Sequence, residues 1–579
     1  MSQAVETRRG TATAPGNSGL PAGRPSLQHP GRRADFWTLV IFAGFAIVVV
    51  FLIYPLFDIF RYSFLDKTTK AFSMSNWKEF FSKMYYLRAF WHSIIIALLT
   101  TFFSIVLGIP LAFFTTRYRI RGTNLLTTLS VLALLSPTFI GAYSWITMLG
   151  RNGFLRLMFQ SIGINLPPIY GPLGIVLADT LQYYPFISLM TAGALMTIDR
   201  SLEEASENLG ARSVRTFFDI TLPMVIPSVT GGALIVFMMS LSNFGTPMII
   251  GGNYLVLPTL AYNLYTSEIS ETPGMASTVS IILMLCASVV IVLQQWMSSR
   301  RKYASMLVNR PIVKKLKGTK SVVAHFACYL IVFLSTLPLA VIVYYSFRKT
   351  SGPVFKSGFG LDSYRQIFFD VPKTVINSFL YSLIAVLLIA SVGTLLGFVI
   401  ARKRNAAVRA LDPLLMIPYM VPGTVLGIGF IVAFNRPPII LAGTATIIIL
   451  TYFIRRLPYS VRSAASILKQ IDPALEEAGI NLGSPPGRTF RTITLPLMQG
   501  GIISGAIMSW VTSMNELSAS ILLYVGKTMT MPIKIYLSVA DGYFGTASAM
   551  STILLVVTGV AMFIVNTYFN RGSETFISA

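Results

Sequence analysis

Apolar runs of about 20 residues, separated by short polar segments, follow one another from residue 36 almost to the end of the chain. A helix of that length crosses about 30 Å of hydrocarbon at 1.5 Å per residue. The pattern predicts six spans at about 36–57, 92–116, 125–148, 171–197, 223–243 and 276–297. Six more are predicted at about 322–345, 376–401, 410–434, 440–464, 497–522 and 547–569. The first run is too long for a signal-peptide core and lacks a small-residue cleavage site, so it reads as a retained span. The expected fold is an all-α membrane protein of about 12 transmembrane helices.

Two polar islands interrupt this pattern, and they match. The first runs Glu204-Ala205-Ser206-Glu207-Asn208-Leu209-Gly210, then nine residues, then Ile220-Thr221-Leu222-Pro223. The second runs Glu477-Ala478-Gly479-Ile480-Asn481-Leu482-Gly483, then nine residues, then Ile493-Thr494-Leu495-Pro496, every anchor shifted by 273. Upstream, His92-Ser93, Gly108 and Arg117 recur as Asn377-Ser378, Gly393 and Arg402 with an offset of 285. The first half thus carries 12 extra residues, expected in the loop from Arg151 to Pro172. Two six-span halves that begin on the same side are parallel repeats.

Each island has the marks of a short helix of about ten residues, roughly 15 Å long. Asp199 and Asp472 stand at the N-cap, and Glu203-Glu204 and Glu476-Glu477 place negative charge in the first turn. Gly210 and Gly483 stand where a left-handed C-terminal cap is needed. Leu222-Pro223 and Leu495-Pro496 then open the next span, with proline at a helix start. Leu202, Ala205 and Leu209 share a face, as do Leu475, Ala478 and Leu482, giving a partner an apolar ridge flanked by acids.

Composition agrees with the pattern: 54% of residues are hydrophobic and 12% charged, against roughly 25% charged in soluble domains. The net charge of +24 is not a nucleic-acid footprint, because Lys and Arg gather in short loops such as Arg117 to Arg121 and Arg402 to Arg404. That distribution puts both termini and both islands on the cytoplasmic side. Residues 1–36 read as a disordered basic tail, 37–297 as the first six-helix unit and 298–321 as a basic linker. Residues 322–570 read as the second unit and 571–579 as a cytoplasmic tail. Cys286 and Cys328 lie in apolar runs and the three histidines are scattered, so neither a disulfide framework nor a metal site is expected.

The pattern Glu-Ala-Ala-x3-Gly-x9-Ile-x-Leu-Pro resembles the signature loop of binding-protein-dependent ABC importer permeases, with Ser206 and Gly479 replacing the second Ala. The fused arrangement, with Ser136 to Tyr143 and Ser242 to Pro247, resembles the ferric-iron subfamily. The resemblance implies a bacterial inner-membrane transport subunit lacking catalytic residues and cofactors of its own. It also implies two copies of a cytoplasmic ATP-binding subunit, an external solute-binding protein and surrounding lipid as partners. It assigns ATPase coupling to Glu204, Ala205, Gly210, Leu222, Pro223, Glu477, Ala478, Gly483, Leu495 and Pro496. Ferric iron is the cargo it favours; phosphonate, sugar phosphate or polyamine are alternatives. No Gly-x4-Gly-Lys-Ser/Thr phosphate loop occurs, so ATP hydrolysis is expected on a separate chain.

Glu516 lies within the eleventh apolar run, and Asn243 is its repeat mate. A carboxylate at membrane depth is costly, which makes both candidates for lining the path, with a buried hydrogen-bonding role as the alternative. Asp179, in the fourth span, reads as interfacial or structural. A 12-span secondary transporter would share the repeat but should place several ionisable residues face to face, and few are expected here.

Overall fold

The computed structural model describes residues 36–66, 69–267, 273–300, 313–352 and 354–564. The expected N- and C-terminal tails and most of the basic linker lie outside these residues. Among the described residues, eight helices are long and apolar enough to cross a membrane, or eleven if each of three bent pairs is one span. Helix Ala445–Gln470 adds a further long element; Arg455, Arg456 and Arg462 keep it from being apolar.

The bends correct the straight spans expected at 125–148, 410–434 and 497–522. Thr123–Leu135 meets Thr138–Ser161 at 100°, and Ala406–Met420 meets Gly423–Ala433 at 105°. Both breaks fall at a proline, Pro137 and Pro422, whose ring stops the preceding helix. Pro486–Leu497 meets Gln499–Met514 at 72°, and helix ends at Met514 rather than near 522. The segment 244–275, left between two predicted spans, holds two short helices, Gly245–Ile250 and Leu257–Thr266, with buried Thr246, Leu257 and Leu260. Ser520–Leu523 and Met531–Ala540 are their counterparts in the second half.

Equivalent helices pack alike. Met84–Arg117 lies along Pro172–Thr197, and Pro372–Arg402 along Ala445–Gln470. Glycine permits the approach: a Cβ on Gly108 would sit 2.7 Å from Ile187 Cβ, and one on Gly393 2.6 Å from Ser460 Cβ. The first helix of each half packs on the other half. Trp37, in helix Phe36–Val48, stacks on Phe398 at 4.2 Å, while Cys328 and Val332 of helix Gly318–Ser346 pack with Leu126 and Tyr184. The halves are thereby interlocked around shared apolar clusters. The extra residues of the first half fall between helix ends Leu149 and Pro172, where a short helix Phe154–Ser161 replaces a two-residue-strand hairpin at Asn435–Ile440. A second hairpin pairs Arg348–Ser351 with Val354–Phe359.

Candidate functional site: two anchored surface helices and two buried polar knots

The islands fold as helices Arg200–Asn208 and Ala474–Asn481. Asp199 and Asp472 accept hydrogen bonds from the backbone N–H of Ser201 and Ala474, each at 2.9 Å. Gly210 and Gly483 adopt φ of +83° and +86°, a left-handed turn that costs a Cβ-bearing residue about 1 kcal/mol or more. The N–H groups of Ala211 and Ser484 return to the carbonyls of Ser206 and Gly479 at 3.1 Å, closing both caps.

Glu204, Ala205, Gly210, Glu477, Ala478 and Gly483 are all exposed. Beside them, Leu209 and Leu482 are nearly fully exposed, at 88% and 89%. The neighbouring acids do the opposite. Arg117, the last residue of its span, reaches Glu203 at 2.7 Å, and Thr221 donates to the same Glu203 oxygen at 3.2 Å. Arg402 reaches Glu476 at 3.0 Å and donates to the Ile471 carbonyl at 2.9 Å. These four charged side chains are 7–18% exposed, so each pair is shielded rather than a loose surface contact. Nothing local in the sequence announces this role, because Arg117 and Arg402 read there only as basic loop residues.

Leu222-Pro223 and Leu495-Pro496 are each preceded by a π-helical turn, Phe217–Thr221 and Phe490–Thr494. The N–H of Leu222 bonds to Phe217 O and that of Leu495 to Phe490 O, five residues back. A third such turn, Val49–Ile53, precedes Tyr54-Pro55. The widened turn relieves the clash between each proline ring and the carbonyl four residues earlier. The second island is close-packed at its glycine: a Cβ on Gly479 would lie 2.8 Å from Ile493, whereas Ser206, its mate, hydrogen-bonds Thr216 at 3.0 Å.

Deeper in each half, the end of the span that follows the island meets a break in another helix. In the first half, Asp179 accepts from Asn243 Nδ2 at 2.8 Å and Ser240 Oγ at 3.1 Å, and Asn243 Oδ1 accepts from Thr138 at 3.1 Å. Asp179 is thus structural and buried rather than interfacial. In the second half, Glu516 pairs with Arg455 and with Arg456, the latter at 2.7 Å, and accepts from Ala519 N–H at 3.2 Å. Glu516 sits just past the end of its helix, not inside it, and is 4% exposed. The structure therefore places three ionisable groups together where few were expected. Their signal in the sequence was the pair Arg455-Arg456 inside a predicted span. Among the described residues, no group of three or more His, Cys, Asp or Glu is arranged to hold a metal ion.

The family model described as "Binding-protein-dependent transport system inner membrane component" matches residues 104–303 and 393–574. Over 523 residues the chain is 30% identical to "Ferric transport system permease protein FbpB" of Actinobacillus pleuropneumoniae, covering 88% of this chain and 75% of that one. It is 25% identical over 543 residues to "Fe(3+)-transport system permease protein FbpB 2" of Haemophilus influenzae, covering 93% and 99%. Among solved structures it is similar, at 18% identity and a TM-score of 0.39, to a bacterial ABC transporter involved in alginate import, covering 45% of this chain and 94% of that one.

Proposed function

The chain belongs to the inner membrane components of binding-protein-dependent transport systems, and from that premise we propose that it is the membrane-spanning subunit of an ATP-driven ferric-iron importer. It is a transport subunit, and ATP is hydrolysed on a separate cytoplasmic chain present in two copies. An external binding protein delivers the cargo and sets its selectivity.

The observation that carries this reading is the recurrence, in both halves, of an exposed capped helix tied by one Arg–Glu pair to the end of a membrane span. Glu204, Ala205, Gly210, Glu477, Ala478 and Gly483 form the docking faces. Leu222-Pro223 and Leu495-Pro496 pass a displacement into the following spans, which end just before Asn243 and Glu516, our path-lining candidates. Both termini and both docking helices lie on the cytoplasmic side, and the basic sequence at 298–321 links the two permease units. The iron assignment draws on the names of the full-length relatives.

The test is reconstitution of this chain with its ATPase and binding protein in liposomes. Uptake of labelled ferric iron should require ATP and the loaded binding protein, and native mass spectrometry should give one copy of this chain per two ATPase copies. Two copies of this chain per assembly, or uptake of phosphonate, sugar phosphate or polyamine in place of iron, would refute it.

A further inference from the structure

The two polar knots occupy equivalent positions but carry different chemistry, and the difference extends along a whole helix face. Arg455, Tyr459 and Arg462 lie at i, i+4 and i+7 on helix Ala445–Gln470, so they share one face. Their repeat mates at the 273 offset, anchored by Pro458 and Pro185 within both helices, are Gln182, Phe186 and Leu189. Opposite this face, Arg462 meets Asp412 at 3.1 Å and Met416 at 3.0 Å, while Tyr459 packs edge-on against Tyr419 at 5.7 Å. At the 285 offset, anchored by Pro422 and Pro137, those partners correspond to Thr127, Val131 and Leu134. Gly423 stands where the first half has Thr138, and a Cβ there would fall in the space taken by the Arg455 guanidinium.

In the first half this face carries one carboxylate, Asp179, held by Asn243 and Ser240, and no cation; in the second it is lined by guanidinium groups. In the ionic lane, three guanidinium groups face two carboxylates, Glu516 and Asp412, leaving one positive charge in excess. Within the lane, Arg462 is half exposed, Arg455 and Arg456 are largely covered, and Arg456 lies 6.0 Å from the Tyr459 ring. Charged side chains inside a membrane-spanning bundle face protein or water, not lipid. Broken helices are also where membrane transporters build solute sites, and the lane starts at such a break.

Resting on the importer reading above, we propose that this face is an oxyanion-recognising lane, and that ferric iron crosses as a complex with anionic oxygen ligands. A bare trivalent cation would be repelled by the excess guanidinium charge. A complex of net negative charge would be drawn to it, with Arg456 and Arg462 presenting N–H groups to its oxygens.

The experiment uses the reconstituted transporter, with doubly labelled ferric iron and inorganic phosphate as the probe oxyanion. Phosphate is expected to enter with iron, and leaving it out should lower iron uptake about tenfold. Arg462→Gln and Arg456→Gln should each lose tenfold or more of iron uptake at equal assembled protein, and Arg456→Lys should retain part. Arg462 is half exposed, so its variant probes the lane without opening the core. Phosphate entering in the absence of iron, in an Arg456-dependent way, assigns the lane to free oxyanion. If wild type carries phosphate but no iron, the ferric reading fails and the lane stands. Iron entering at the wild-type rate in both Gln variants, or unaffected by the absence of oxyanion, overturns the lane.

Discussion

Arg402 and Glu476 meet at 3.0 Å, and their repeat mates Arg117 and Glu203 meet at 2.7 Å. In both halves the pair joins the last residue of one span to the first turn of an exposed helix. Since each pair is mostly shielded from water, losing one partner leaves a charge poorly solvated. The helix is thus anchored to the membrane domain and is not a free surface segment.

Arg402→Gln is therefore expected to loosen helix Ala474–Asn481 by about 3 kcal/mol, the low end for breaking a shielded ion pair. Arg117→Gln should do the same to helix Arg200–Asn208. Hydrogen exchange across residues 200–208 and 474–481 reads this directly, and ATP hydrolysis should become less responsive to the loaded binding protein. Unchanged exchange in both variants would remove the anchor role.

The close approach of equivalent helices gives a second expectation. Gly393→Leu inserts a side chain where even a Cβ would sit 2.6 Å from Ser460, so the helices must separate. The cost should be about 1–3 kcal/mol, as for other overpacked sites. Gly108→Leu should behave alike against Ile187. Thermal unfolding in detergent measures both, and a Tm equal to wild type would contradict the packing.

Much of this was legible in the sequence, and the failures share a cause. Hydropathy located the spans because length and apolarity alone define them, and the island spacing exposed the repeat. A ruler of 20 residues could not see the ten-residue buried helices Leu257–Thr266 and Met531–Ala540. Nor could it see bends at Pro137 and Pro422, because the residues on either side stay apolar. The anchors were hidden for another reason. Arg402 and Glu476 are 74 residues apart, so no local period connects them, and only packing brings them together.

Glu516 offers a test of path lining against simple scaffolding. Glu516→Gln leaves Arg455 and Arg456 facing each other without a carboxylate between them. Stability should fall by about 3 kcal/mol. Cargo uptake should fall by a larger factor than the loss of folded protein explains, with Glu516→Asp recovering part of it. A lower Tm with normal uptake per folded molecule would make Glu516 a scaffold residue only.

The last expectation concerns the two glycines that end the proposed docking helices. Gly210 and Gly483 hold φ of +83° and +86°, and no atom lies within 4 Å of where their Cβ would be. Space therefore does not forbid a side chain; backbone conformation does. Val is β-branched and poorly suited to the left-handed region, so Gly210→Val or Gly483→Val should cost about 1 kcal/mol or more. The chain can escape that cost by leaving the left-handed turn. The bonds from Ala211 to Ser206 and from Ser484 to Gly479 would then break, and the exposed Leu209 or Leu482 would point elsewhere. The membrane domain should still fold, because the turn is exposed and the anchoring Arg–Glu pair lies at the other end of the helix. Each variant should therefore purify normally yet co-purify with less ATPase and lose stimulation by the loaded binding protein in liposomes. Normal docking and stimulation in both would show that the helix ends do not carry the coupling.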